Sequence, residues 1–295
     1  MALIPYTKPH ATTADMIRHL ENRGLSIPSP RSAAQEIELI GYERLRIYFL
    51  SRRQIGVIGK PFNPGTSFED IVRLYECDMA LRDACFAAVG QFELLLRNSI
   101  SETLSSRYGS HPYFECDAFK NAASQIDALK MFADIYNKSR DRRAKHYKEN
   151  YSHPSLFPIW RMKEFMTFGA TSRILQFLSG PLRTNIAADF GVPKDLIFTN
   201  WVECLVDLRN NCAHHDRLFN RKFQKQPSIL LLLGASPPLA KPATQIPTSV
   251  KHSLKAILQC LDYMLKQRGV ASDVTTKVGD ILGRYPEAVP SEAGY

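Results

Sequence analysis

The amino-acid sequence predicts an all-α protein, and three observations carry that reading. Between Ser67 and Ser106 there is no proline and a single glycine, Gly90, while Leu74, Leu81, Cys85, Val89, Phe92, Leu96 and Ile100 recur at helical spacing. A second stripe, Trp201, Leu205, Leu208 and Cys212, has steps of four, three and four. Almost no segment alternates apolar and polar residues as a half-buried strand does.

The elements follow in order. A short helix is expected over Ala14–Arg23, ended by Gly24, and a second from Ser32 to about Arg53, with Ile37, Ile40, Leu45 and Tyr48 roughly on one face. Gly56, Gly59, Pro61, Pro64 and Gly65 mark a loop over 54–66. Ser67-Phe68-Glu69-Asp70 then reads as an N-cap with an acidic first turn, opening the longest helix. At 1.5 Å per residue it would span roughly 60 Å, the spine of the fold. After a turn at 109–116, helices are expected over Ala118–Arg143, Ile159–Leu178 and Asn185–Phe190, and another opened by Pro193. Pro237, Pro238, Pro242 and Pro247 mark a loop before a last helix over Ser249–Arg268. The division expected is an N-terminal helical extension (1–66), a helical core (67–270) and a C-terminal tail (271–295).

Composition bounds the function. At 44% hydrophobic and 23% charged residues, the 295-residue chain can bury a sizeable core without disulfide or metal staples. The net charge of +9 suits a polyanionic partner, although many basic proteins bind no nucleic acid. The six cysteines form no C-x-x-C and no zinc-site spacing, so neither metal nor cofactor is expected, and reduced thiols fit a cytosolic location. No signal peptide is visible, and the longest apolar run, Ile229–Leu233, is too short for a bilayer. A cytoplasmic protein without a membrane partner is the expectation.

The densest chemistry lies in Asp207-Leu-Arg209-Asn210-Asn211-Cys212-Ala213-His214-His215-Asp216-Arg217. On a continuing helix, Asn210, His214 and Arg217 share one side, and Arg209 can swing toward it. Asparagines in mid-helix are poor for helix propensity, so something other than local stability selects them. These residue types suit metal-independent RNA cleavage. Histidine can move the proton of the 2′-hydroxyl or the 5′-oxygen, arginine offers a forked donor to the phosphate, and asparagine can hold the imidazole tautomer or bond the phosphate. An Arg and a His five apart also arise by chance, with His214 bonded to a carbonyl and Arg209 paired to Asp207 or Asp216.

Arg209-Asn210-Asn211-Cys212-Ala213-His214 resembles R-N-x-x-x-H, the signature of the HEPN-superfamily ribonucleases. The wider string Leu208–Asn220 resembles that of the Abi-like (AbiD/AbiF) abortive-infection proteins. Other segments match in order: Tyr42, Arg44, Leu45 and Tyr48, with Glu43 departing; Phe68, Ile71, Leu74, Tyr75, Asp78, Leu81 and Arg82, with Cys77 in place of a phenylalanine; Glu93 to Arg97; His146-Tyr147; and Pro158-Ile-Trp160, Glu164 and Phe168-Gly169. The resemblance runs from about Lys8 to Tyr285. It implies a HEPN-like helical bundle, phage defence, and a metal-independent endoribonuclease with Arg209 and His214 catalytic and Asn210 supporting them. Two motif copies facing each other imply a homodimer with a composite site.

Around that motif, Glu93 and Arg97 have salt-bridge spacing, and Glu93 could also orient Arg209. His215 is a spare imidazole, and Arg217 a local partner of Asp216. The run Arg140, Arg142, Arg143, Lys145, His146 and Lys148, interleaved with Tyr136 and Tyr147, suits single-stranded RNA or is a solvated helix end. Trp160 and Phe168 are expected in the core. Beside the endoribonuclease reading stand two others: a non-catalytic protein holding a noncoding RNA, and a structural component of a toxin–antitoxin or defence complex.

Overall fold

The computed structural model describes residues 5, 7, 9–227, 230–232, 239–241, 254–293 and 295, with 230–232 and 239–241 as backbone only. Among the described residues the fold is all-α apart from two three-residue strands, β1 (Leu230–Leu232) and β2 (Leu239–Lys241), paired antiparallel. It divides into two compact units: residues 1–81 with 280–290, and residues 82–279 with 291–295. The expected loop prolines at 237, 238, 242 and 247, and the first turns expected of the last helix, lie outside the described residues.

In the first unit, α1 (Thr13–Glu21) opens with a capping box: the Asp15 amide donates to Thr12 Oγ1 at 3.2 Å, and the Thr12 amide to Asp15 Oδ2 at 3.1 Å. The single helix expected over Ser32–Arg53 is two helices, α2 (Pro30–Ile40) and α3 (Tyr42–Ser51). Gly41, between them, has φ +95°, a conformation glycine adopts at little cost and other residues rarely enter. The long helix α4 (Phe68–Tyr108) begins where the sequence predicts. The Ser67 amide donates to Asp70 Oδ2 at 2.7 Å and the Asp70 amide to Ser67 Oγ at 3.1 Å. Tyr48 on α3 donates its buried hydroxyl to Asp78 on α4 at 2.6 Å, joining two of the segments singled out above. Cys77, at the departing position, is fully buried, and burial pushes its thiol up to about 12. Residues 280–290 return to this unit, where Arg73 Nε meets Glu287 Oε1 at 2.5 Å.

The second unit takes the rest of α4 and adds α5 (Ala122–Lys138), α6 (Arg142–Asn150), the one-turn α7 (Ile159–Met162), α8 (Phe168–Phe177), α9 (Gly180–Asp189), α10 (Asp195–Ala213), α11 (Leu254–Gln267) and most of α12 (Val274–Gly283). Two expected helices are shorter or divided, each for a local reason. Asn121 caps α5 by accepting from the Ser124 amide at 2.8 Å, so the helix starts four residues later than expected, and Asp141 starts a separate helix by accepting from the Arg143 amide at 2.8 Å. The helix expected over Ile159–Leu178 breaks after α7 into a 3₁₀ turn (Lys163–Phe165), and Thr167 caps α8. The helix expected from Asn185 starts earlier, with Pro181 in its first turn.

The core of this unit is aromatic and aliphatic. Phe92 of α4 packs on Phe168 and Phe190, with ring centroids 6.2 and 5.2 Å apart. α10 packs against α8, α9 and α11 through its buried stripe of Trp201, Leu205, Leu208 and Cys212. At the other end of α11, buried Asp262 accepts from the Val274 and Thr275 amides at 3.0 and 2.9 Å and so caps α12. Among the described residues, no helix is long and apolar enough to cross a membrane.

Candidate functional site at the end of helix α10

The stripe facing the core fixes which residues of α10 turn toward α4. Arg209 is one of them. Its Nε lies 3.7 Å from Glu93 Oε2, while the other Glu93 oxygen takes an ion pair from Arg97 Nη2. At 3.7 Å the Arg209 contact is an ion pair rather than a hydrogen bond. The Glu93 side chain is 10% exposed, Arg97 15% and Arg209 28%, so one buried carboxylate holds two arginines, the second closer to solvent. Of the two roles open to Glu93, partner of Arg97 and orienter of Arg209, the geometry realises both contacts.

Asn210 turns to the same group. Its Oδ1 accepts from Arg209 Nη1 at 3.2 Å. Its carbonyl oxygen therefore fixes the arginine and not the His214 tautomer. Asn211 is buried, and its Nδ2, with Arg97 Nε and Asp207 Oδ2, is buried without a hydrogen-bond partner among the described residues. Such atoms are costly to leave unpaired, and three of them belong to α10 and the part of α4 that faces it. Arg209 pairs with neither Asp207 nor Asp216; Asp216 instead lies 3.8 Å from Arg221 Nη1, and not against Arg217.

The expectation of a continuing helix through Arg217 is corrected. α10 stops at Ala213, and His214 is its C-cap (φ −88°, ψ 7°). His215 follows at φ +55°; its amide donates to Cys212 O at 3.1 Å, and the Asp216 amide to Asn211 O at 2.8 Å. Those two bonds and the left-handed residue make a Schellman stop, in which the position usually taken by glycine is His215. Arg217 therefore leaves the face it was expected to share with Asn210 and His214. His214 keeps its place relative to Asn210, because its amide still donates to Asn210 O at 2.9 Å. The His214 side chain is exposed and makes no hydrogen bond or ion pair to the described residues.

The basic run is distributed over two helices and the turn between them. Lys148 Nζ donates to Ser139 O at 3.2 Å and lies 4.9 Å from the Tyr136 ring, so it closes the turn. Arg143 pairs with Asp141 at 3.0 Å, and Lys145 with Glu149 at 3.7 Å. Arg140 and Arg142 are exposed, with no carboxylate partner among the described residues. Tyr147 is buried and Tyr136 half-buried, in a cluster with Phe157 whose centroids lie 5.3 and 4.7 Å away. These rings build the core beneath the run, not a stacking platform on it. Phe168 is buried as expected, but Trp160 is 50% exposed, because α7 turns Ile159 and Met162 inward and leaves Trp160 to solvent. No sequence signal separates it from its neighbours.

Comparison with curated proteins and with solved structures gives no match. A family comparison does: residues 35–220, a span that holds α3, α4, Glu93, the basic run and the whole of α10, match the family described as Abi-like protein. The chain therefore belongs to the Abi-like family, which suggests a part in abortive-infection defence.

Proposed function

We propose that this protein is a metal-independent endoribonuclease acting in anti-phage defence, with its chemistry at the end of α10. The observation that carries the reading is the juxtaposition of a positioned arginine and an open histidine. Arg209 is held by Glu93 and Asn210, while His214, one turn after Asn210, meets solvent. In this reading the 2′-oxygen of RNA attacks the adjacent phosphorus and the 5′-oxygen leaves. The products are a 2′,3′-cyclic phosphate and a 5′-hydroxyl. His214 moves the proton at one of these oxygens, and Arg209 donates to the phosphate oxygens as negative charge builds on them. Two proton transfers from one imidazole per chain favour a homodimer in which a second copy supplies the other histidine. Arg97, paired with the other Glu93 oxygen, holds that carboxylate in place and so keeps Arg209 aimed. His215 supports the site only through the stop that ends the helix, and Arg217 has no part in it.

The test is cleavage of RNA by the purified chain in EDTA, with end analysis, on protein first shown to be dimeric. Cyclic phosphate ends are expected, lost in Arg209→Ala and His214→Ala. Cleavage that survives either substitution removes the assignment. A second reading, a non-catalytic holder of RNA, is favoured by the exposed, carboxylate-free Arg140 and Arg142 alongside Arg143, Lys145 and Lys148. Copurifying RNA, uncut by wild type and released by charge removal at 140–148, would select it.

A further inference from the structure

The first unit contains a cleft of about 990 Å³, with walls from α1, α3 and the turn after α3 and none from the residues of the α10 site. Ligand pockets run up to roughly this size. Four cations line it: Arg23, Arg46, Arg53 and Lys60. Two carboxylates also line it, and each is engaged. Asp15 is taken by the Thr12 capping box and by Arg18 at 3.4 Å, and Glu43 by Arg46 at 2.9 Å. That leaves Arg23, Arg53 and Lys60 facing the cleft with no carboxylate partner among the described residues.

Arg53 is the most telling of the three. Its Nε is buried and has no hydrogen-bond acceptor among the described residues, while its guanidinium carbon lies 4.9 Å from the centroid of the Phe62 ring. Burial, and after it the positive charge of Arg23, push the guanidinium below its usual value. A concentration of like charge beside a partly buried guanidinium is unfavourable, and an anion in the cleft relieves it. The lining is not only ionic: half-buried Tyr42 and Leu50, which is 53% exposed, add an aromatic and an aliphatic residue to it. Cations with a ring beside them suit a phosphate carrying a planar base.

We infer that this cleft binds a nucleoside phosphate, with the terminal phosphoryl group on Arg23, Arg53 and Lys60 and the base against Tyr42. The ligand is either a free nucleotide or the 5′-phosphorylated end of a strand, which present the same group. The inference stands apart from the ribonuclease reading, since binding here is measured without cleavage and either can fail alone.

The experiment is calorimetric titration of the intact His214→Ala chain with AMP, with a short 5′-phosphorylated RNA and with the same RNA bearing a 5′-hydroxyl. Saturable binding of AMP identifies a free nucleotide. Binding of the phosphorylated RNA, with the hydroxyl form much weaker, identifies a strand end. Arg23→Ala and Lys60→Gly should each weaken either ligand roughly tenfold, as removal of one charge-assisted hydrogen bond to phosphate does. Lys60 sits at φ +48°, so glycine is conformationally favourable there and this variant tests the charge with the fold intact. The inference is overturned if no phosphorylated ligand binds, if AMP does not bind and the hydroxyl RNA binds as well as the phosphorylated one, or if folded Lys60→Gly binds AMP or the phosphorylated end as tightly as its parent.

Discussion

Two groups of arginines in the second unit have the same chemistry and opposite surroundings. Arg97 and Arg209 converge on one buried carboxylate, Glu93, and Arg209 is also held by Asn210. Arg140 and Arg142 stand in water on the turn between α5 and α6, with no carboxylate partner among the described residues. A surface arginine keeps its rotamer freedom and attracts any phosphate through screened, sequence-independent charge. A half-buried, paired arginine has already lost that freedom, so its direction is set before a ligand arrives. The contrast separates a group suited to a reacting phosphate from groups suited to holding a strand.

The sharpest way to break the comparison is to remove the positioned side. His214→Ala should lower RNA cleavage by roughly 10²- to 10⁴-fold, as loss of a general acid or base does, with RNA binding at low salt retained. Equal loss from Arg140→Ala would mean that the two groups do not differ in the way proposed.

Next in size is Glu93→Ala. It strands two half-buried arginines; removing one partner of a fully buried ion pair costs about 3–5 kcal/mol, and partial exposure brings the loss below that. A chemical-denaturation midpoint should show the loss, while Glu93→Gln, which keeps the shape and an acceptor, should cost less. A midpoint unchanged in Glu93→Ala would show that the carboxylate does not hold α4 to α10.

The surface side is tested by salt. Replacing Arg140 and Arg142 together by alanine should weaken RNA binding and make the slope of log affinity against log salt shallower by about 0.7 for each phosphate no longer neutralised. Stability should move by less than about 0.5 kcal/mol. An unaltered slope would place the strand elsewhere.

The smallest effect concerns the helix stop. His215 holds a left-handed conformation that costs a non-glycine residue about 1–2 kcal/mol. His215→Gly relieves that strain but also removes the imidazole and its packing. The unfolding free energy, read from chemical denaturation, should therefore rise only slightly, by about 1 kcal/mol or less. A fall would mean that the imidazole stabilises the stop by more than its backbone strain costs.

The same stop shows why one part of the site is misread from sequence. Glycine or asparagine after the last helical residue is the usual mark of a C-terminus. Here histidine occupies that position, so nothing in Ala213-His214-His215-Asp216 announces an end, and Arg217 is placed on a helix it does not belong to. The break at Gly41 escapes a sequence reading differently: an isolated glycine is tolerated within helices, and only its φ of +95° makes it a boundary. By contrast, the caps at Ser67 and Asp70 are legible because both partners lie within one turn.

What the sequence determined by itself is whatever depends on residues a few positions apart. That covers the helical class, the long α4, the buried stripe of α10 and the match to the Abi-like family over residues 35–220. Helical spacing is a local property, and a side chain at i reads its neighbours at i+3 and i+4 directly. Only the tertiary structure decided that Glu93 of α4 meets Arg209 of α10, that Asn210 turns to the arginine and not to the histidine, and that residues 280–290 return to the first unit. Those pairings depend on which helix faces pack together, and packing is selected by burial summed over the whole core, which no single spacing along the chain encodes.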